Sequence, residues 1–317
     1  KLFLLGSSVS IISSKVLSYQ SPLYGRRTAS IKLKPVGFFE LHEFFPKLRF
    51  EEIIELYGFT DGIPFYLTKI EGDLWKWLSS EIKKERSFLR DEIDFIMRYE
   101  FEDTSTYKLI LEAIANGKNK LGEIKDYVKL QRTDLSPYLK NLLDVDLIKR
   151  EVPVTENIKS RNGRYFLNDN FIKFWFRFVY PNISSIESGI FDLNTVKKEY
   201  SQYLGKIFED ISLQYILKQK IFNFNKIGRW WWKQEEIDIV ALNHNGKKVL
   251  LGECKYSEKI DAERVVRKLI EKQENIDINM NEFNVEYVVF AKSFSKKISE
   301  SDGKKVHCFD LGDLQKV

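Results

Sequence analysis

The stretch "EEIDIVALNHNGKKVLLGECKYS", from Glu235 to Ser257, constrains the fold more than any other part of the chain. Two very apolar runs flank Asn245-Gly246, a strong short-range signal for a β-hairpin with a two-residue type I′ loop. On such a loop, residues equidistant from the Asn245–Gly246 bond face each other: His244 with Lys247, Leu242 with Val249, Val240 with Leu251. The same count sets Asp238 opposite Glu253 and Glu236 opposite Lys255, and alternation puts Lys255 on the face of Glu253. The hairpin is apolar on both faces in its middle and gathers its charges at the open end.

Like charges directly opposite on a sheet are destabilising, and burial raises the cost. A divalent cation relieves it, because Mg²⁺ is commonly held by one or two carboxylates together with phosphate oxygens and water. A neighbouring lysine then orients the attacking water or steadies charge on a phosphate. Asp238 and Glu253 are therefore expected to ligate Mg²⁺ or Mn²⁺, with Lys255 as their catalytic partner in phosphodiester hydrolysis. The plainer alternative is an ion-pair cluster in which Lys255 bridges the two acids. That accounts for one carboxylate better than for two.

A chain of 317 residues accommodates two or three domains. Residues 1–103 open on "KLFLLGSSVSIISS", whose apolar run Leu2–Leu5 is expected to be a central strand. Its sheet neighbours are not evident in the residues after it, so an upstream segment is expected to precede it. The basic turn "SPLYGRRT" (Ser21–Thr28) comes next, then a strand "SIKLKPV". Helices come after these around Phe50–Tyr57, Leu74–Ile82 and Phe88–Phe101. The expectation is the tail of an α/β domain with a helical lid.

Residues 104–180 change rhythm. "TSTYKLILEAIANG" has capping residues at its start and Asn116-Gly117 at its end, "LGEIKDYV" is a short second helix, and "TDLSPYLKNLLDVDLI" a third. "IKREVPVTENIKSRNGRYFLND" then alternates as two strands around Asn162-Gly163. Three helices and a hairpin carrying Lys149, Arg150, Lys159, Arg161 and Arg164 make a winged helix, a helix-turn-helix variant that sets its third helix in the major groove. The third helix exposes Asp134, Asp144 and Asp146 beside Arg132 and Lys140, so DNA contact and protein contact both stay open. The aromatic run "FIKFWFRFVYPN" (Phe171–Asn182) is expected to be a helix buried between domains rather than a base-stacking surface. Self-association or partner binding through such aromatic segments is a further function class.

Residues 190–317 read as α-β-β-α-β-β-α, a mixed sheet with helices packed on it. A helix over about Val196–Gln219 precedes "NKIGRWWW" and the hairpin. Beyond the hairpin come a charged helix over about Asp261–Gln273, the strand "VEYVVFAKS" and a last strand "VHCFDL".

Composition narrows the classes. A net charge of +5, from 51 basic and 46 acidic residues, permits nucleic-acid binding without announcing it. No apolar run approaches a membrane span and there is no basic leader, so the expectation is a cytoplasmic protein that does not enter membranes. Cys254 and Cys308 are too few for a zinc site and are expected to be small core residues. Plentiful Lys, Glu and Ile with only two Met resemble a thermophile composition.

Asp238, fourteen intervening residues, then Glu253-Cys254-Lys255 resembles the PD-(D/E)xK nuclease motif, which sits on a hairpin inside an α-β-β-β-α-β core. The resemblance implies a restriction-endonuclease-like fold and an auxiliary acid from the preceding helix. Glu209 in "GKIFEDI" stands in that place, although it lies opposite the Tyr200, Leu204, Ile207 and Ile211 stripe, where it would be solvated. Ile237 precedes Asp238 where the motif often has proline. Over nearly the whole chain, "NDNFIKFWFRFVYPN", "IGRWWWKQEEIDIVAL" and "LLGECKYS" are similar to the C-terminal domain of unknown function in archaeal AAA/STAND-type ATPases. That family's order is a P-loop ATPase domain, a winged helix, then a nuclease-like domain. The first 103 residues would then be a remnant of the ATPase core, with Arg26 or Arg27 as a nucleotide sensor.

The chain departs from that family in having no G-x-x-x-x-G-K-[ST], the phosphate-cradling loop that nucleotide hydrolysis requires. ATP binding is therefore expected only with an upstream segment. Two functions compete: a DNA nuclease with Asp238, Glu253, Lys255 and Glu209 as its site, or an inactive nuclease-like fold serving an ATPase as a DNA- or protein-binding regulatory module.

Overall fold

The computed structural model describes residues 19–22, 24–26, 28–29, 31–85, 87–129, 134–221 and 223–317. The expected strand Leu2–Leu5, Arg27 and Arg132 lie outside the described residues. The chain divides into two units that interleave along the sequence, where three consecutive segments were expected. The first comprises Lys1–Val36, Tyr57–Glu151 and Arg164–Leu193, and the second Gly37–Leu56, Val152–Gly163 and Asn194–Val317.

The helices expected near residues 50–57, 74–82 and 88–101 form at Phe50–Thr60, Leu74–Glu81 and Phe88–Glu100. Asp73 caps the second by accepting the Lys76 N–H, and Ser87 caps the third by accepting that of Leu89. The expected strand "SIKLKPV" does not form. Residues 31–37 belong to no regular element, and Ile31 and Leu33 stand exposed with no ladder partner.

The rest of the first unit agrees closely with the sequence reading. Helices α1 (Ser105–Ala115), α2 (Leu121–Val128) and α3 (Ser136–Asp144) precede strands β1 (Ile148–Glu151) and β2 (Arg164–Leu167), which pair antiparallel. Ile110, Leu111, Ile124, Leu139 and Leu142, at helical spacing, are fully buried among them. Asn162-Gly163 is not a hairpin turn, however. It ends a long loop, Val152–Gly163, that belongs to the second unit. The aromatic run is spent internally: Phe171 lies 5.3 Å from Phe59 and from Phe88 and 4.4 Å from Tyr66, ring to ring. Phe174, Trp175, Phe176 and Phe178 are equally buried, so the interior, not a partner, takes these side chains.

In the second unit, helix α4 (Leu193–Gln219) leads into strands β3 (Lys226–Trp232), β4 (Glu235–Asn243) and β5 (Lys248–Lys255). After the short β6 (Ile260–Asp261) come helix α5 (Ala262–Gln273), capped by Asp261, and strands β7 (Asn284–Ala291), β8 (Phe294–Lys296), β9 (Glu300–Ser301) and β10 (Lys304–Phe309). A short helix, Leu311–Leu314, closes the chain. The main sheet runs β3-β4-β5-β7-β10-β9, with β5, β7 and β10 parallel and the others antiparallel to their neighbours; β6 and β8 pair separately. "NKIGRWWW" thus supplies a strand beyond the order expected from the sequence.

Both faces of this sheet are covered, which is why its strands read as continuous apolar runs. Val240, Leu242, Val249, Leu251, Val285, Tyr287 and Val289 bury one face with Val266 and Leu269 of α5. On the other, Tyr215 of α4 packs 5.7 Å from Phe290 and 4.9 Å from Phe309. Gly252 sits where a Cβ would come within 2.7 Å of Val288 Cγ1 and 3.1 Å of Ile239 Cβ, so the sheet closes over a bare backbone.

Loop Val152–Gly163 covers the outer edge of β3. The Val154 N–H donates to the Arg229 carbonyl at 2.9 Å, Trp231 Nε1 donates to Asn162 O at 3.0 Å, and Val154 itself is buried in the sheet's core. Within the loop, the Glu156 carboxylate accepts from Ser160 Oγ and from Asn162 Nδ2. The outer edge of β3 is thereby covered through one backbone bond and one side-chain bond.

Among the described residues, no helix is long and apolar enough to cross a membrane.

Candidate functional site

The hairpin pairs Val240 with Leu251 and Leu242 with Val249, the register read from the sequence. The turn differs from the expected type I′. Asn245 and Gly246 stay out of the left-handed region, and Lys247 enters it instead at φ 45°. Gly246 N–H donates to Asn243 Oδ1 at 2.8 Å, and the ladder closes at Asn243 and Lys248. A loop of His244–Lys247 is centred on the same bond as a loop of Asn245-Gly246, so the pairing is unchanged.

At the open end, regular pairing stops one step short of Asp238. The β4–β5 ladder ends at Ile239 opposite Gly252. On the other side, Gly228 pairs with Val240 and Trp230 with Ile237, leaving Asp238 and Ile239 opposite Arg229 alone. This is a β-bulge, a device that re-aims a side chain. The freed Asp238 carboxylate takes over a ladder bond: the Cys254 N–H donates to its Oδ2 at 2.8 Å.

Glu253 continues the parity of Val249 and Leu251 and meets α5. Its Oε1 lies 2.6 Å from Lys255 Nζ and its Oε2 3.0 Å from Lys272 Nζ, which also donates to the Glu236 carbonyl at 2.7 Å. Only 8% of Glu253 is exposed. Lys255 is thus paired with Glu253, while the Glu236 carboxylate, expected opposite Lys255, reaches Lys206 at 3.3 Å.

Glu209 is buried, at 7% exposure, not solvated as its place on the α4 helical wheel suggested. Lys206, one turn earlier, lies 2.9 Å from its Oε1. Arg229, directed by the strand that faces the bulge, lies 3.3 Å from Glu209 Oε2 and 2.7 Å from Asp210 Oδ1. One oxygen each from Glu209, Glu236 and Asp238 fall within 4.8 Å of one another.

The acids meet at a cost. Burial, with the Asp238 charge beside it, pushes the Glu209 carboxyl up to about 8. Burial and the charge of Glu253 raise Asp238 as well. Desolvation opposes the charge on Lys206, but Glu209 and Glu236 outweigh it and its pKa rises; Lys255 rises likewise through its hydrogen bond to Glu253.

Of the expected residues, Asp238 and Glu209 are brought together, with Glu236, while Glu253 and Lys255 pair with each other on β5, where the Glu253 charge still reaches Asp238. Lys206, Arg229 and Lys272 were missed, and Glu236 had no role beyond strand pairing. Lys206 was findable at three residues before Glu209 on one helix; Arg229 and Lys272 depend on tertiary placement. The expected DNA-contacting residues are divided. Lys149 on β1, paired with Glu151 at 2.9 Å, and Arg164 on β2 belong to the first unit, whereas Lys159 and Arg161 are exposed in loop Val152–Gly163 of the second. Arg26 is exposed and in no regular element. Both cysteines are free, Cys254 buried and Cys308 partly so.

Residues 175–269 match DUF234, described as archaea bacterial proteins of unknown function. Over 321 aligned residues, 99% of this chain and 72% of the other, the chain is 48% identical to the uncharacterized protein MJECL04 of Methanocaldococcus jannaschii. Among solved structures, it is similar to the Walker-type ATPase PABY2304 of Pyrococcus abyssi at a TM-score of 0.34, with 23% identity over 53% of this chain and 48% of that one. Protein VC1899 from Vibrio cholerae is similar at a TM-score of 0.22, with 12% identity over 74% of this chain and 55% of that one. The chain spans about half the length of these solved chains. With nearly all of its length aligned at 48% identity, the chain belongs to the same family as the uncharacterized MJECL04 protein.

Proposed function

We propose that the second unit is a PD-(D/E)xK-type, metal-dependent DNA nuclease and that α1–α3 with β1 and β2 form a winged helix that holds DNA. The observation that carries this reading is the convergence of Glu209, Glu236 and Asp238 at one end of the β4–β5 hairpin, with the Glu253–Lys255 pair on β5, within an α-β-β-β-α-β order. The donor set fits the ion. Asp238, Glu253, Glu209 and Glu236 offer carboxylate oxygens only, the hard ligands that Mg²⁺ and Mn²⁺ take. Asp238 and Glu253 would hold the ion, with Glu209 and Glu236 in support. When bound, it supplies Lewis-acid polarisation of a phosphate and a water acidified toward neutrality.

The chain's own residues do the rest. The Cys254 N–H keeps the Asp238 carboxylate aimed, and Lys272 holds the far oxygen of Glu253. Lys255, with 42% of its side chain exposed, is the cation at the mouth of the site and steadies charge on a phosphate. Lys149 and Arg164 of the winged helix, with Lys159 and Arg161 of loop Val152–Gly163, would meet the DNA backbone.

A second reading, a nuclease-like module that holds DNA without cutting it, is favoured by one observation: both Glu253 oxygens already have lysine partners. Incubation of single-stranded, duplex and branched DNA with Mg²⁺ or Mn²⁺ separates the two. The nuclease reading requires cleavage by the parent and its loss in Asp238→Ala. If the parent cuts no DNA form, or if Asp238→Ala cuts as well as the parent, that reading is wrong. Salt-sensitive binding without cleavage, weakened by charge reversal at Arg161 and Arg164, is the outcome of the second reading.

A further inference from the structure

The site contains a cation of its own. Lys206 Nζ sits 2.9 Å from Glu209 Oε1, 3.3 Å from its Oε2 and 3.3 Å from Glu236 Oε1, among carboxylate oxygens that lie within 4.8 Å of one another. We propose that Lys206 is a tethered competitor for the divalent cation: its ammonium occupies the Glu209–Glu236 side of the site and must swing out before a metal ion can draw on those carboxylates. This rests on the metal-dependent reading above and adds to it a threshold for metal loading.

The neighbouring cations are held differently. Arg229 is 11% exposed, and its guanidinium fork spans Glu209 and Asp210, so it stays with the folded site. Lys255 and Lys272 are bound to Glu253, on the α5 side of the hairpin. The Lys206 side chain is 58% exposed, on a flexible four-carbon stem along the outside of α4. Swinging it into water breaks its pairs with the buried Glu209 and the half-buried Glu236 but no core packing, and water at the exposed lysine end keeps such pairs weak. A divalent ion brings twice the charge to Glu209, Glu236 and Asp238, so exchange favours the metal once its concentration is high enough. The displaced ammonium remains one helical turn from Glu209, where it adds positive charge at the mouth of the site for an incoming phosphate.

The test is isothermal titration of the full chain with Mg²⁺ alone at about pH 9, where proton competition at the carboxylates is low. Lys206→Met is expected to bind Mg²⁺ about threefold to tenfold more tightly than the parent, the weight of one or two ion pairs exposed at the lysine end. Lys206→Arg, whose fork grips carboxylates more firmly, is expected to bind more weakly than the parent. Asp238→Asn is the control for the site and is expected to lose the binding. If Lys206→Met binds no more tightly while Asp238→Asn still abolishes binding, the competitor role is overturned and the metal site stands. If parent and Lys206→Met alike take up no Mg²⁺, or if Asp238→Asn binds as the parent does, the metal reading falls and this inference with it. Lys206→Arg keeps a cation on the helix surface, so its direction of change separates competition from a loss of fold.

Discussion

Replacing Glu209 by Gln is expected to flatten the pH dependence of the second unit's stability. The groups facing Glu209 are Lys206 and Asp210 on α4, Arg229 on β3, Glu236 and Asp238 on β4, with Glu253 and Lys255 on β5 behind Asp238 and Lys272 on α5 behind Glu253. In the folded chain the Glu209 carboxyl keeps its proton to about 8, and once unfolded it releases it near the ordinary 4.5. Between those values the folded state binds the extra proton, so stability is full below the unfolded value and falls as pH rises through the folded one. At about 1.36 kcal/mol per tenfold change in proton affinity, the full gap corresponds to about 5 kcal/mol. Relaxation and water entry reduce such costs, so a measured loss of about 2–4 kcal/mol is expected. Asp238, raised in the same direction, adds a loss of the same sign. Gln mimics the protonated acid. Glu209→Gln should therefore match the parent at about pH 5 and exceed it by about 2–4 kcal/mol at about pH 9 in urea unfolding followed by circular dichroism. If the parent loses no stability relative to Glu209→Gln across that range, the burial of a reluctant carboxylate beside Asp238 is refuted.

Four further outcomes are expected from the geometry. Gly252→Ala forces a Cβ against Val288 and Ile239 in the middle of the sheet and is expected to cost about 1–3 kcal/mol, read as a lowered Tm. Asp238→Ala strands the Cys254 N–H and is expected to cost about 1–3 kcal/mol, whereas Asp238→Asn keeps the acceptor; amide hydrogen exchange at Cys254 should accelerate only in the alanine variant. Lys272→Met releases the Glu236 carbonyl and one oxygen of Glu253 together, for a similar cost of about 1–3 kcal/mol in thermal unfolding. Val154→Ala hollows the sheet's core from the loop side and is expected to cost about 2 kcal/mol, with a Tm shift that a surface change at Lys159 does not produce.

The legible parts of the molecule were those whose signals lie close together in the chain. The pairing of Val240 with Leu251 came from the apolar runs and the turn between them. It survived a wrong turn type because loops of two and four residues about one centre share their register. Helix α1 showed in its capping residues and α4 in its 3.6-residue stripe. The rest was set by partners remote in sequence. Nothing near Asp238 announces a bulge, which arises from how β3 lies against β4. Glu209 looked solvated because a helical wheel knows only its own helix, and the strands that bury it come later in the chain. "SIKLKPV" has strand-like residues but no strand beside it, and propensity alone makes no ladder.

Loop Val152–Gly163 bears on what can be separated from what. It covers the outer edge of β3, and Val154 completes the core beneath it, yet it ends thirty residues before α4 begins. The second unit is therefore not a cassette. A fragment starting at residue 190 would carry every side chain of the proposed site and still lack its own edge strap, leaving the backbone of β3 bare to pair with other copies. Insolubility of that fragment would be a topological defect, curable by restoring the upstream chain and not by altering the site. Recombination that moved the C-terminal half alone would meet the same penalty, because the strap of the second unit lies in sequence between β1 and β2 of the first.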